Sequence, residues 1–333
     1  MAVGMLLVAL TPGYEAIGVA APVLIVLGRL VQGFALGGEV GPSTASLIES
    51  APVGKRGLYA SWQLASQGIA VLHAGSIGFV LSLALSAESM QAWGWRIPFL
   101  LGLVIIPVGF YIRRSMPETA GEGHGDAEAT TGAVLSRLLR QHGSKLALMI
   151  PILLCGTVST YVGNYMTIYA IATLKMPPSL SIAATAIVGV CLLVFSLLAG
   201  FLADRYGRRI VMIVPRVLLV IAAYPAFFLM TTQPGAASLL SMSALLAILG
   251  AMSGAASLVA IPELLPRSVR SAGLSIAYAF VVTVFGGTTQ LVVTWLIGVT
   301  GDPIAPAYYV IATSLVGVLA MIATPETRND VLA

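Results

Sequence analysis

Arg29, Gln32 and Glu39 stand inside an apolar run from Ala20 to Ser50 that is long enough to cross a bilayer. A charge near the bilayer centre costs at least ~2.5–3.5 kcal/mol, so such residues face a bundle interior or an aqueous cavity. At 100° per residue, Arg29, Gln32, Glu39, Ser43 and Ser46 share one sector of a helix. A guanidinium can fork two hydrogen bonds onto a carboxylate and keeps its charge at any physiological pH, which suits an organic-acid site. The alternative for Arg29 is a structural ion pair. Glu39 lies ten positions on, about 15 Å along the axis, so the two do not pair within this helix. A carboxyl among apolar spans is a candidate proton carrier; its alternative is a hydrogen-bonded acid packed against small residues.

These residues need a scaffold, and the composition says which kind. Of 333 residues, 58% are hydrophobic and 9% charged. A soluble domain carries about 25% charged residues, so the chain is a polytopic membrane protein. Ten apolar segments occur, near 1–11, 20–49, 58–86, 95–114, 145–173, 179–203, 210–231, 235–265, 271–299 and 304–323; nine are long enough to span. The basic residues gather in alternate connections, among them Lys55, Arg56, Arg113, Arg114, Lys145, Arg205, Arg267 and Arg328. The positive-inside rule makes that face cytoplasmic and places the C-terminus there. The basic excess is therefore a topology signal and excludes nucleic-acid binding. Cys155 and Cys191 read as small core residues. His124 with Glu122, Asp126 and Glu128 lacks metal-ligand spacing and reads as a solvated loop. Neither cofactor nor metal is expected, and no P-loop, His-Glu-x-x-His or Gly-x-Ser-x-Gly motif supports an enzyme.

The chain repeats. Pro117-Glu118-Thr119 returns as Pro325-Glu326-Thr327, and Leu47-Ile48-Glu49 before Lys55-Arg56-Gly57 is echoed by Ile261-Pro262-Glu263 before Arg270-Ser271-Ala272-Gly273. Parallel repeats of this kind are a transporter architecture, with the substrate site between halves near mid-membrane. The division is 1–116 as an N-terminal half, 117–144 as a cytoplasmic linker and 145–333 as a six-span C-terminal half. The first half holds a remnant of a third span and three more, so the first two spans and most of the third are expected to be missing from the front.

Gly200-Phe201-Leu202-Ala203-Asp204-Arg205-Tyr206-Gly207-Arg208-Arg209 resembles the cytoplasmic signature of the major facilitator superfamily. The resemblance implies an α-helical bundle of two six-helix halves. It also implies that Gly200, Asp204, Arg205, Gly207, Arg208 and Arg209 form a gating motif that ties helix ends on the cytoplasmic face. Gly28-Arg29-Leu30-Val31-Gln32-Gly33 with Gly37-Gly38-Glu39, Tyr59-Ala60-Ser61-Trp62-Gln63, Trp93-Gly94-Trp95-Arg96 and Gly273-Leu274-Ser275-Ile276-Ala277-Tyr278 resemble its metabolite:proton symporter branch, nearest to citrate and tricarballylate carriers. The branch implies proton-coupled symport of a di- or tricarboxylate by a monomer in the bacterial inner membrane. A Gly-x-x-x-Gly-Pro antiporter signature is absent; Ser66-Gln67-Gly68 stands in its place. The alternatives are a zwitterionic osmolyte symporter and an inactive truncated remnant.

Three more polar faces point to the same cavity: Tyr59, Gln63, Ser66 and His73; Thr157, Thr160, Tyr161 and Asn164; and Ser271, Ser275, Tyr278 and Thr289. Arg29, Gln32, Gln63, Tyr161, Asn164 and Tyr278 are the expected substrate contacts, and Glu39 the proton-coupling group. Glu49 and Glu263, at span ends beside basic loops, read as partners of those loops. Arg216, six residues into its span, is expected to snorkel to the headgroups. The truncation makes a checkable statement: upstream of the Met1 codon, the reading frame should stay open through two apolar spans and a Gly-x-x-x-Asp-Arg-x-Gly-Arg-Arg loop. A stop before them would mark the chain as a remnant.

Overall fold

The computed structural model describes residues 1–115 and 131–328. Residues 117–119 and the acidic stretch around His124 lie outside the described residues. The elements are α1 (Ala2–Leu10), α2 (Tyr14–Ile17), α3 (Ala20–Glu49), α4 (Arg56–Ala84), α5 (Ala87–Ala92), α6 (Ile97–Gly102), α7 (Ile105–Ser115), α8 (Thr131–Ala172), α9 (Pro178–Tyr206), α10 (Arg208–Thr232), α11 (Ala236–Glu263), α12 (Arg267–Val281), α13 (Gly287–Thr300) and α14 (Ala305–Ala323). Among the described residues, nine helical stretches are long and apolar enough to cross a membrane. They match the nine spans expected from the sequence. Helices dominate because a bilayer offers no water to satisfy backbone groups, which each helix satisfies internally.

Local chemistry shapes the ends. The α8 helix starts at Thr131, within the segment 117–144 expected as the linker, and breaks at His142 (φ −127°, ψ 18°). A π-helical segment, Val282–Gly286, joins α12 to α13 inside one span. Arg96 clips α1 in place: its Nε donates to the Ala9 carbonyl and Nη2 to the Thr11 carbonyl, each at 3.0 Å. These acceptors sit at the C-terminal end of α1, where the helix leaves carbonyls unpaired and favours a cation. The Trp95 ring lies 4.4 Å from the same guanidinium.

Bundle contacts rest on small residues. Along the α4–α9 seam, Gly57 meets Gly200, Gly68 meets Gly189 and Leu193, and Gly75 meets Ala186. Without side chains at these points the two backbones approach directly, as small residues allow between membrane helices. Elsewhere Gly41 of α3 rests on Ser271 and Ser275 of α12. Two apolar clusters fill the region of α8 to α14, one around Met149, Met212 and Leu274, the other around Tyr169, Phe227 and Met230.

The seam yields a test. A Cβ at Gly189 would stand 2.6 Å from the Leu72 Cα, whereas nothing lies within 4 Å of one at Gly109 in α7. Gly189→Ala should therefore destabilise the protein by about 1–3 kcal/mol through overpacking. Gly109→Ala should be neutral or stabilising by up to about 1 kcal/mol. Thermal unfolding of both variants in one detergent checks the contrast.

Candidate functional site

At the arginine-rich end of the bundle, carboxylates close onto helix starts. The first N–H groups of any helix lack intrahelical acceptors. Asp204, in the last turn of α9, accepts from the Gly57 N–H at 2.8 Å and the Leu58 N–H at 2.9 Å, and so caps α4. The same carboxylate pairs with Arg208 at 3.1 Å. Gly207 makes the turn between them with φ 105°, a backbone region that glycine occupies without steric cost. Arg208 is buried and also reaches Glu263, 3.3 Å from Nε to Oε2. The buried Glu263 carboxylate accepts from the Thr327 hydroxyl at 2.5 Å and faces Arg56 at 4.0 Å. On the neighbouring helices, Glu49 pairs with Arg270 at 3.1 Å and Arg267 at 3.6 Å. The two carboxylates picked out beside basic loops, Glu49 and Glu263, thus meet arginines, as expected.

The six motif residues do not act alike. Asp204, Arg208 and Gly207 form the junction, and Gly200 lets α9 meet α4 at Gly57. Arg209 is half-buried and donates to the Ile322 carbonyl at 2.6 Å. Arg205 is exposed, 5.5 Å from the Tyr206 ring. The motif's second acid partner escaped sequence reading. Glu326 accepts from the N–H groups of Arg208, Arg209 and Arg328 at 2.9–3.0 Å and caps α10. Its signal was visible only as the repeated Pro-Glu-Thr.

Deeper in the bundle the candidate binding residues gather from four helices. Arg29 Nη1 donates to Gln32 Oε1 at 3.3 Å, and the guanidinium lies 5.7 Å from the Phe99 ring. Tyr161 of α8 sits near enough to Arg29 to feel its charge, and its ring packs on Gly286 of the π segment. Tyr278 of α12 is next to Tyr161 and within hydrogen-bonding reach of Gln67 on α4. Gln67 was not among the expected contacts, yet its buried Nε2 has no partner among the described residues. Gln63 receives a hydrogen bond from Ser43 at 3.2 Å, joining α3 to α4. Arg29, Gln32, Tyr161, Tyr278 and Gln67 are thus neighbours or one contact apart. Glu39 is exposed, with no hydrogen bond or ion pair to its carboxylate among the described residues. His73 bonds its own helix, Nδ1 to the Ile69 carbonyl at 2.8 Å.

Other expectations need correction. Ser275 packs against Gly41, and Thr289 is fully buried and donates to the Phe285 carbonyl at 2.6 Å, so both serve helix contacts. The α8 face divides: Tyr161 turns to Arg29, while Thr160 and Asn164 line a separate cavity among α8, α9, α10, α11 and α14. Arg216 does not snorkel. It is fully buried, because α8 and α11 supply acceptors that shorten the route to satisfaction: Cys155 carbonyl, Ser159 Oγ and Ser253 Oγ, at 2.8–3.1 Å. Among the described residues no group of three or more His, Cys, Asp or Glu could hold a metal.

The chain was compared with known proteins. The model of the family described as Sugar (and other) transporter matches residues 1–131 and 121–333. A citrate-proton symporter of Klebsiella pneumoniae is 35% identical over 320 residues, covering 96% of this chain and 72% of that protein. The glycine betaine/proline/ectoine/pipecolic acid transporter OusA of Dickeya dadantii is 28% identical over 344 residues, covering 100% of this chain and 68% of that one. Among solved structures, the major facilitator superfamily proton:xylose symporter XylE superposes with a TM-score of 0.72 at 20% identity, covering 99% of this chain and 80% of that one. That last likeness is one of fold.

The Glu326 cap makes a pH-dependent prediction. Partial burial raises its carboxyl, but the N–H donors of Arg209, Arg208 and Arg328 and the Arg208 charge outweigh burial and hold it below the usual carboxylate range. A carboxylate depressed on folding stabilises fully above its unfolded pKa, and that stabilisation is lost as pH falls through the folded value. Amide exchange at Arg208 and Arg209 should therefore accelerate, relative to its intrinsic rate, below about pH 4. Glu326→Gln should abolish that acid step.

Proposed function

The chain belongs to the Sugar (and other) transporter family of the major facilitator superfamily, and from that membership we propose that it carries an organic acid together with protons by alternating access. It is a multi-pass membrane protein whose relatives are transporters, not enzymes. The favoured substrate class is a di- or tricarboxylate such as citrate. The observation that carries this reading is Arg29, a guanidinium in no ion pair among the described residues, close to Tyr161 and beside Gln32. A fixed cation with vacant donors, flanked by a phenol and an amide, recognises a carboxylate. The 35% identity to a citrate-proton symporter supports the same class.

In this reading Arg29 and Gln32 orient one carboxylate, Tyr161 and Tyr278 contribute further hydrogen bonds, and Gln63 shapes the α4 wall beside Ser43 of α3. Glu39 exchanges the coupled proton. The Asp204, Arg208, Glu263 and Glu49–Arg270 contacts form the cytoplasmic latch, which breaks as the halves rock and the site opens inward. The zwitterionic osmolyte reading has one specific support, the similarity to OusA. A betaine has one carboxylate and a quaternary ammonium, so it needs an aromatic cage as well as Arg29.

Uptake in proteoliposomes under an imposed inward proton gradient separates the readings. Citrate should accumulate and glycine betaine should not compete. Glu39→Gln should abolish gradient-driven accumulation while sparing citrate exchange; unchanged accumulation would remove Glu39 from the mechanism. Arg29→Lys should lower citrate affinity about tenfold or more, because a point charge replaces a bidentate fork.

A further inference from the structure

The span made of α12 and α13 is irregular beside the candidate site. Through Val282–Gly286 the helix widens: the Gly287 N–H reaches the Val282 carbonyl, five positions back, where an α-helix bonds four back. One extra residue in the turn sets everything after it back by about 100° of rotation. In an unbroken helix Thr289, eleven positions after Tyr278, would lie about 20° from it, and Gly286, eight positions after, about 80°. With the extra residue, Gly286 comes within about 20° of Tyr278 and Thr289 moves about 80° away. The contacts agree. Thr289 is fully buried and within hydrogen-bonding reach of Tyr309 on α14. Gly286, like Tyr278, is a neighbour of Tyr161.

Gly286 has φ −63° and ψ −52°, a conformation open to any residue, so the glycine is there for space and not for backbone freedom. A Cβ at this position would stand 2.8 Å from Tyr161 Cε2, 2.9 Å from Tyr161 Cζ and 3.1 Å from Thr157 Cγ2. Cζ is the carbon that carries the phenol hydroxyl. A side chain at 286 therefore displaces the hydrogen-bonding end of Tyr161. Gly287, one position on, is exposed, and a Cβ there would find nothing within 4 Å. Of two adjacent glycines, one is filled by a ring and the other faces open space. The π segment packs against both α3, which carries Arg29, and α8, which carries Tyr161. Tyr161 itself is half-buried and feels the Arg29 charge.

We propose that Gly286 is a positioning residue of the substrate site, carried to the Tyr278 face by the π turn, and that it seats the Tyr161 ring so that the phenol and the Arg29 guanidinium meet one substrate carboxylate. This rests on the organic-acid reading above. Arg29 supplies the charge, and the seat fixes where the neutral donor stands beside it. Hydrogen bonds weaken steeply as distance and angle leave their optimum, so position 286 sets affinity without touching the substrate.

The test is a double-mutant cycle on citrate uptake in proteoliposomes under an inward proton gradient. Gly286→Ala should raise the citrate KM about tenfold or more, because the displaced hydroxyl loses its bond to the carboxylate. Tyr161→Phe should raise it about as much, and the double variant no further. The phenylalanine ring keeps the clash and lacks the hydroxyl, so a merely structural effect of Gly286→Ala would persist in that background. Gly287→Ala should leave the KM within about twofold, since its Cβ meets nothing. If Gly286→Ala does not fold, Thr157→Ser supplies a second background, because it removes the methyl 3.1 Å from the added Cβ. An unchanged KM in Gly286→Ala would overturn the seat, and so would an equal penalty with and without the Tyr161 hydroxyl. Uptake of glycine betaine but not citrate by the wild type would sink the organic-acid reading alone, and the same cycle on glycine betaine, which also carries a carboxylate, then decides the seat. Uptake of neither would overturn both.

Discussion

The N–H groups of Gly57 and Leu58 open α4 with no acceptor in their own helix, and the Asp204 carboxylate, brought from the end of α9, satisfies both. A charged acceptor makes each of these bonds worth about 1.5–3 kcal/mol, and the helix dipole adds to them. The rest of the arginine-rich face depends on this junction. Arg208 neutralises Asp204 on one side and reaches Glu263 on the other, and Glu263 in turn meets Arg56 at the start of α4. Acid, base and helix start therefore form one circuit. Removing one member of a buried pair leaves the other uncompensated, at about 3–5 kcal/mol, so the circuit resists piecemeal change.

Depth in the bundle brings a different economy of charge. At the face, carboxylates answer every buried arginine: Arg208 has Asp204 and Glu263, and Arg270 has Glu49. Within the spans, Arg29 and Arg216 have none among the described residues. Arg216 is held by neutral acceptors instead, the Cys155 carbonyl and the Ser159 and Ser253 hydroxyls, and Arg29 meets the Gln32 amide.

The sequence made the spans and the arginine-rich face legible, because both follow from solvation: twenty apolar residues have one stable place, and lysines and arginines stay out of lipid. Glu49 and Glu263 were legible for the same reason, standing where basic residues cluster. Arg216 was not. Its distance from the span end is compatible with snorkelling, and only the neighbours decide whether a helix turns that side inward, where Ser159 and Ser253 wait. The α8 face failed similarly. A 3.6-residue period groups Thr160, Tyr161 and Asn164, but two helices approach that sector from different directions and divide it. Glu326 could not be read as a cap, since its donors lie more than a hundred positions earlier in the chain.

The α4–α9 seam has a mechanical consequence. Two helices in contact through leucines or phenylalanines interlock, and tilting one against the other requires each side chain to find a new rotamer. Where Gly57, Gly68 and Gly75 face Gly200, Gly189 and Ala186, the touching surfaces are nearly bare main chain. Such a surface behaves as a plain bearing: it has close fit and no teeth. In the proposed alternating-access cycle such a seam asks few side chains to change rotamer, which leaves the ion-paired rim as the main resistance to rocking.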